Sequence, residues 1–266
     1  MEDGFGMGDA MTKRAVTGSN GFIGGRLIDR LGRLSGSVTG LEHSYFDLPH
    51  KWNWDQLFFL STYGNMAHHK YYHEMVQANV SDLLGALRVF KGWMCYMSSS
   101  SVTLTVQTSY SRTKRAAEEI LQALPELKSC IVRPYSVTGR NEQKEHLIPT
   151  LIRSCMEAEP MTFNPYPVHD FVDVEDVVDG LITLADKQFT GIIEFGNGRP
   201  VTNQEVREIV EKTCGKKANA KVVSDKLREY DNASWYCQNR HPMWQPKKSL
   251  EQSVSEMVDQ YKHEHA

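Results

Sequence analysis

The run Ala15-Val-Thr-Gly-Ser-Asn-Gly-Phe-Ile-Gly-Gly-Arg-Leu27 decides the fold of this chain. Residues 13–17 can form a short buried strand. Gly18, Gly21 and Gly24 follow at three-residue spacing, and an amphipathic pattern then starts with Phe22, Ile23, Leu27, Ile28 and Leu31. Strand, glycine turn and helix in that order is the context that makes a glycine pattern a dinucleotide site. Gly18 allows the tight turn, Gly21 lets the backbone approach a pyrophosphate, and Gly24 lets the helix sit close to the strand. The helix N-terminus supplies unspent N–H groups and a positive dipole end for the anion.

Strand and helix patterns alternate outward from this unit. Residues 37–41 read as a second short strand. The apolar run 56–60 suits a parallel strand covered on both faces. A helix is predicted over 71–90, with Met75, Val76, Val80, Leu83, Leu84, Leu87 and Val89 as its apolar positions. Strands are predicted at 93–97 and 129–133, the latter closed by Pro134. Between them a helix over 109–124 carries Ala116, Ala117, Ile120 and Leu121 on one stripe. This alternation implies an α/β fold with a doubly wound, Rossmann-type parallel sheet and right-handed crossovers. After about Gly139 helical patterns dominate, at 147–157, 174–185, 203–214 and 250–261, with strand candidates at 191–195 and 220–223. The expected organisation is a disordered tail over 1–12, a nucleotide-binding domain over 13–139 and a smaller, mostly helical substrate lobe over 140–266. The strand at 191–195 is expected to return to the main sheet.

With 266 residues the chain can bury a sizeable core. A net charge of −3 argues against nucleic acid as the main partner. No apolar run is long enough to span a bilayer, and the first dozen residues lack the apolar centre of a signal peptide. Five widely spaced cysteines, with no Cys-x-x-Cys pair, fit free thiols in a reducing, cytoplasmic setting. His68 and His69 are adjacent, so they point apart on any regular element. They read as loop residues, and no metal is expected.

Two groups of residues extend the nucleotide reading. Glu42 follows the second strand, where a carboxylate can accept both hydroxyls of an adenosine ribose and would repel a 2′-phosphate. NAD is therefore expected, with NADP as the alternative. Asp47-Leu48 follows so closely that the intervening helix must be missing or reduced to a turn. Further on, Met97-Ser-Ser-Ser-Ser-Val102 ends a strand, and ligands of open α/β sheets bind beyond the carboxyl ends of strands. Tyr110 and Lys114 lie four residues apart, on one face of the next helix. A nearby ammonium and a positive nicotinamide ring favour the phenolate of such a tyrosine. A serine at the strand end can hold a substrate hydroxyl. This is acid–base chemistry for hydride transfer. Ser100 is the first choice among the four serines and Ser99 the second.

With these residues in place, the chain resembles the extended short-chain dehydrogenase/reductases, the nucleotide-sugar epimerase/dehydratase family, from about Lys13 to Tyr261. Thr17-Gly-Ser-Asn-Gly-Phe-Ile-Gly24 is similar to its T-G-x-x-G-x-I-G signature. Leu60-Ser-Thr-Tyr-Gly64 stands in for L-A-A-x-x-G, and Asn79-Val80 for its helix asparagine. Arg133-Pro-Tyr-Ser-Val-Thr-Gly139 resembles R-P-x-N-V-Y-G. His169-Asp-Phe-Val-Asp-Val-Glu-Asp176 resembles R-D-F-x-x-V-x-D. Glu194-Phe-Gly-Asn-Gly198 and Trp244-Gln-Pro-Lys-Lys-Ser-Leu250 resemble the N-x-G-x-G turn and the closing W-x-P-x-x-S-L.

The resemblance implies Ser100, Tyr110 and Lys114 as catalytic triad. It implies Gly18, Asn20, Gly21, Phe22, Ile23 and Gly24 around the pyrophosphate, Glu42 on the ribose, and Asp47 with Leu48 on the adenine. Ser61, Thr62, Tyr63, Asn79, Ser98, Tyr135 and Val137, with Tyr110 and Lys114, would complete the cofactor site. Ser99, Ser100, Ser136 and His169 would meet a nucleotide-sugar substrate. It also implies a homodimer through a four-helix interface made by the helices over 71–90 and 109–124.

The departures are specific. Serines replace the T-D-E of the dehydratases, which argues against dehydratase chemistry. The gap between Ser100 and Tyr110 is short, so a substrate-facing loop is lost. His169 replaces an arginine and Ser136 an asparagine, which weakens the case for an ordinary UDP- or dTDP-sugar. The stretch 38–48 looks most like dTDP-4-dehydrorhamnose reductase. Three readings follow: an NAD-dependent sugar epimerase working through a transient keto intermediate, an NAD(P)H-dependent keto-sugar reductase, and a non-catalytic nucleotide binder of the same fold. Intact Tyr110 and Lys114 argue against the last.

Overall fold

The computed structural model describes residues 11–35, 37–42, 53–65, 69, 71–223 and 235–266. Six parallel strands form the central sheet: β1 (Arg14–Thr17), β2 (Val38–Leu41), β3 (Gln56–Phe59), β4 (Trp93–Met97), β5 (Ser129–Pro134) and β9 (Gly191–Phe195). Their order across the sheet is β2-β1-β3-β4-β5-β9. The chain leaves β1 to one side for β2 and returns on the other side for β3. The carboxyl ends of β1 and β3 therefore flank a crevice at the point where the winding reverses, the usual ligand position of open α/β sheets.

The strands read as continuous apolar runs because both faces are covered. Alternate residues point to opposite faces, and the two cores divide accordingly. Val16, Phe58, Cys95 and Val132 join Leu27 and Leu31 of α1 (Phe22–Ser35) and Val177, Leu181 and Leu184 of α6 (Val174–Asp186). Ala15, Leu57, Phe59, Met94, Tyr96 and Ile131 join the helices of the other face. Those helices are α3 (Asp82–Val89) and α4 (Ser109–Gln122).

The helix expected over 71–90 is not one regular helix. It comprises α2 (Tyr72–Val76), a π-helical turn at Gln77–Ser81, and α3. The inserted turn carries Asn79, whose side chain is wholly engaged by neighbouring segments. β5 likewise runs through Pro134 rather than stopping before it; Pro134 is opposite Phe195.

The second half holds more strand than its sequence pattern indicates. Besides α5 (Leu147–Glu157), α7 (Asn203–Cys214) and α8 (Leu250–Glu264), it contains β6 (Ser136–Thr138), β7 (Met161–Phe163), β8 (Val168–Asp173), β10 (Pro200–Thr202) and β11 (Ala220–Val222). β8 pairs parallel to β6 and antiparallel to β10, and β7 pairs with β11. Three-residue strands are too short to show a period. β8 mixes Phe171 and Val172 with the buried acids Asp170 and Asp173, so no alternation marks it. A third core of Ile148, Leu151, Val206, Val210, Val254 and Val258 binds α5, α7 and α8. Asp47 and Leu48 lie outside the described residues.

Phe58 is fully buried at the centre of the first core and meets Trp93 edge to face at 5.8 Å. Phe58→Ala is expected to lower the unfolding free energy by about 3–5 kcal/mol. Leu34→Ala, at an exposed position of α1, should change it by less than about 0.5 kcal/mol. Urea titrations of the two variants check this ordering.

Candidate active site

The crevice begins at the glycine turn. Gly18 has φ +64°, and a Cβ on it would stand 3.0 Å from the Ser61 nitrogen. A Cβ on Gly24 would stand 2.1 Å from the Gly18 carbonyl oxygen. Gly21 N–H closes the turn by donating to that same carbonyl at 2.9 Å. Thr17, which sequence reasoning passed over, latches the other wall. Its hydroxyl oxygen accepts from Leu60 N–H at 2.9 Å, Ser61 N–H at 3.0 Å and the Ser61 hydroxyl at 2.7 Å. Ser61 is thus spent on holding β1 to β3. A diphosphate fits this cradle: side chains are missing where they would fill it, and the first turn of α1 has N–H groups with no carbonyl one turn before them. No acidic residue lies in that turn.

Asn20, Gly21 and Phe22 border a groove of about 680 Å³ whose other walls carry Arg26, Arg30, Arg33 and Arg140. Arg26 stacks over the Phe22 ring at 4.8 Å. Ile23 packs against the first core. Glu42 stands exposed just past β2. The tip of β2 comes close to the turn, since a Cβ on Gly40 would meet the Ser19 hydroxyl at 2.6 Å.

Asn79 organises the exit of β3. It is fully buried. Its Oδ1 accepts from the Thr62 hydroxyl and Tyr63 N–H, both at 3.1 Å, and its Nδ2 donates to Tyr63 O at 2.8 Å and Thr113 Oγ1 at 2.9 Å. These four bonds use the whole capacity of a primary amide. Asn79, which the resemblance puts at the cofactor, spends its side chain on fixing Thr62, Tyr63 and Thr113. The π turn leaves the Asn79 carbonyl to accept from the Tyr96 hydroxyl at 3.2 Å. Tyr63 stacks on His69 at 4.2 Å, and His69 Nδ1 accepts from Gly64 N–H at 3.1 Å. Among the described residues no group of three or more His, Cys, Asp or Glu side chains could hold a metal ion.

Opposite this wall stands α4, started by Thr108, whose side chain accepts from Ser111 N–H. Tyr110 is partly buried, and its hydroxyl meets the side chains of Thr62 and Ser99. Sequence reasoning favours Ser100; the structure brings Ser99 to the tyrosine instead. Ser99 is extended, and its oxygen accepts from Ser101 N–H at 3.1 Å. Ser100 is fully buried and its hydroxyl has no partner among the described residues. Ser98 donates to Glu118.

Tyr110 departs from expectation in its acidity as well. Burial raises its pKa, although the hydrogen bonds from Thr62 and Ser99 pull the other way. Lys114 is fully buried and donates to the Met97 carbonyl at 2.8 Å, with its ammonium 4.8 Å from the Tyr96 ring centre. Burial lowers its pKa to about 7, against the pull of the Glu118 carboxylate.

The far side of the crevice is aromatic. His169 Nδ1 lies 3.0 Å from the Ser136 hydroxyl oxygen. Trp235, which no sequence pattern singled out, packs at 6.1 Å from His169 and 5.9 Å from Tyr135. Tyr135 hydrogen-bonds Glu194 at 3.4 Å, and burial together with that carboxylate raises its pKa. Asp170 pins this wall by accepting from the backbone N–H of Asn197, Gly198 and Cys237. Val137 sits opposite Val172 in the β6–β8 pair and packs against the first core, so it is a packing residue.

Residues 96–194 match the NAD dependent epimerase/dehydratase family. No curated protein matches the chain by sequence. Solved structures share the whole fold at low identity. MoeE5 in complex with UDP-glucuronic acid and NAD has a TM-score of 0.82 at 19% identity, covering 95% of this chain and 99% of that one. UDP-glucose 4-epimerase of Thermotoga maritima, solved with UDP-glucose, gives 0.81 at 15%, covering 96% and 100%. The dTDP-glucose 4,6-dehydratase of Bacillus anthracis in complex with NAD gives 0.78 at 18%, covering 95% and 97%. The whole chain thus has the fold of these solved structures, and its residues 96–194 match the NAD dependent epimerase/dehydratase family.

Proposed function

We propose that the protein is an NAD-dependent epimerase of a nucleotide-activated sugar. The observation that carries this reading is the convergence of Tyr110, Ser99 and Thr62 beside a cradle shaped for a diphosphate. NAD bound there would accept a hydride from the sugar and return it. Gly18, Gly21, Gly24 and the first turn of α1 would hold its pyrophosphate, and Glu42 its ribose. Tyr110 would take the proton of the sugar hydroxyl and give it back, with Ser99 fixing that hydroxyl. The buried Lys114 amine would bond the second ribose and, once protonated, favour the phenolate. Ser136, His169 and Trp235 form the wall offered to the rest of the substrate. The lobe over 140–266 supplies most of that wall, which supports its assignment as the substrate lobe.

One observation favours a second reading, reduction of a keto-sugar nucleotide. Burial raises the pKa of Tyr110, which favours the protonated phenol, the form that donates a proton to a new alkoxide. Nucleotide analysis of the purified protein, with sugar turnover followed by proton NMR, separates the two. An epimerase inverts the sugar with no net use of NADH; a reductase consumes it in equal amount with a keto-sugar.

We also propose a homodimer in a cytoplasmic setting. The apolar stripe of the segment over 71–90 divides. Met75, Leu83 and Ala86 face inward, while Tyr71, Tyr72, Val76 and Leu84 stay exposed beside α4. A two-fold contact through these helices would cover the exposed set. All five cysteines are free, and no described helix is long and apolar enough to cross a membrane.

Three outcomes are expected. Tyr110→Phe should cut kcat by about 10²- to 10⁴-fold with NAD affinity nearly unchanged, since only the hydroxyl is lost; steady-state kinetics and calorimetry decide, and parental activity removes Tyr110 from the chemistry. Glu42→Ala should narrow the preference for NAD over NADP by roughly tenfold, the scale of one screened like-charge contact. Tighter binding of NADP than NAD by the parent overturns the role given to Glu42. Light scattering at micromolar concentration should return twice the chain mass, and a folded, nucleotide-bound monomer rules the dimer out.

A further inference from the structure

We propose that Glu118 is a positioning residue. With Ser98 and Arg133 it forms a buried clasp that holds the serine-bearing tip of β4 and the Lys114 turn of α4 in register. This rests on the reading of Ser99, Tyr110 and Lys114 as the groups that meet substrate and cofactor.

Glu118 lies four residues after Lys114 on α4, hence one turn along the same face. Only 2% of it is exposed. Its Oε1 accepts from the Ser98 hydroxyl and from Arg133 Nε at 3.0 Å, and its Oε2 accepts from Arg133 Nη2 at 2.5 Å. A forked guanidinium on a carboxylate fixes orientation as well as distance. Ser98 N–H in turn donates to Val132 O at 2.8 Å. One carboxylate thus joins the ends of β4 and β5 to α4.

The clasp adjoins the site groups on both elements. On the strand, Ser98 is followed by Ser99, which meets Tyr110. On the helix, the preceding turn carries Lys114, which donates to the carbonyl of Met97, the residue before Ser98. Met97–Lys114 and Ser98–Glu118 are two successive rungs between strand tip and helix. A shift of either rung would move the serine hydroxyl relative to Tyr110, and errors of that kind are costly in rate.

The carboxylate also acts through its charge. The groups around the Lys114 amine are the Met97 carbonyl and the Tyr96 ring on β4 and Glu118 on α4, with Arg133 on β5 behind Glu118. Burial lowers Lys114 to about 7, and Glu118 is the group that raises it. Below that value the amine is charged, so the lysine changes state near neutrality. Without the carboxylate, that change moves to lower pH.

The test is Glu118→Gln, which keeps the shape and an acceptor for Ser98. Titration of Lys114 in the ligand-free protein, read by NMR of ¹³Cε-labelled lysine, should move down by roughly one pH unit. At neutral pH kcat should fall roughly tenfold, as for a small displacement of reacting groups, while KM for the nucleotide-sugar and NAD affinity stay at parental values. Glu118→Asp, which restores the charge on a shorter stem, should return the titration toward the parent and leave kcat low. An unchanged Lys114 titration, or a kcat loss matched by loss of folded protein, overturns the proposal. Should the glutamine variant not fold, Ser98→Ala removes one arm alone. It should lower kcat and leave the lysine titration in place, and unaltered kcat overturns the clasp. If the parent turns over no nucleotide-sugar, the function proposed above fails, and the lysine titration still decides the role of Glu118.

Discussion

The rest of the structure depends on one backbone contact, the approach of α1 to the turn that precedes it. Gly24 sits so close to Gly18 that a single methyl group would stand 2.1 Å from the Gly18 carbonyl oxygen. That contact lets α1 start directly over the end of β1. It also leaves Gly18 in the left-handed region, where its bare α-carbon presses on Ser61 at the end of β3. Thr17 completes the join with three hydrogen bonds to Leu60 and Ser61. The end of β1 is therefore joined to α1 on one side of the crevice and to β3 on the other.

The opposite wall is built from buried polar groups that satisfy one another. Asn79 spends its amide on Thr62, Tyr63 and Thr113, so the exit of β3 and the middle of α4 keep one distance. Glu118 spends both oxygens on Ser98 and Arg133. A buried polar group left without a partner costs about 1–3 kcal/mol, which makes partial rearrangement of such networks unfavourable. The hydroxyl of Ser100 is the exception beside them, buried and without a partner among the described residues. Tyr110 stands between the two networks, and its surroundings explain why burial rather than a neighbouring cation governs its acidity. The Lys114 amine is directed to the Met97 carbonyl, and burial brings its change of charge down to near neutral pH.

Much of the fold is legible in the chain because its signals are local. The covered strands read as apolar runs, and Phe58 and Phe59, adjacent in sequence, enter opposite cores as the two-residue period requires. Helices α5 and α7 begin and end where their helical patterns place them, and a capping box of Thr202 and Glu205 starts α7. The π turn at Gln77–Ser81 escaped because the apolar stripe continues through it, and the extra residue is stabilised by partners on other segments. Strand β8 escaped because its buried aspartates satisfy distant backbone groups, Asp170 reaching Cys237 across 67 positions.

By itself the sequence determined the glycine turn, the winding of the parallel sheet around it, and the placing of Tyr110 and Lys114 on one face of the helix after a serine-tipped strand. Each follows from the conformational range of a residue type or from the fixed period of a strand or helix. Only the tertiary structure decided which serine meets the tyrosine, that Asn79 and Ser61 brace the site from behind, and that Trp235 closes the wall beside His169. Four consecutive serines are chemically alike. What distinguishes them is where each hydroxyl is directed: Ser98 meets Glu118 and Ser99 meets Tyr110, both brought there by the packing of α4 on the strand tip, while Ser100 is buried without a partner among the described residues.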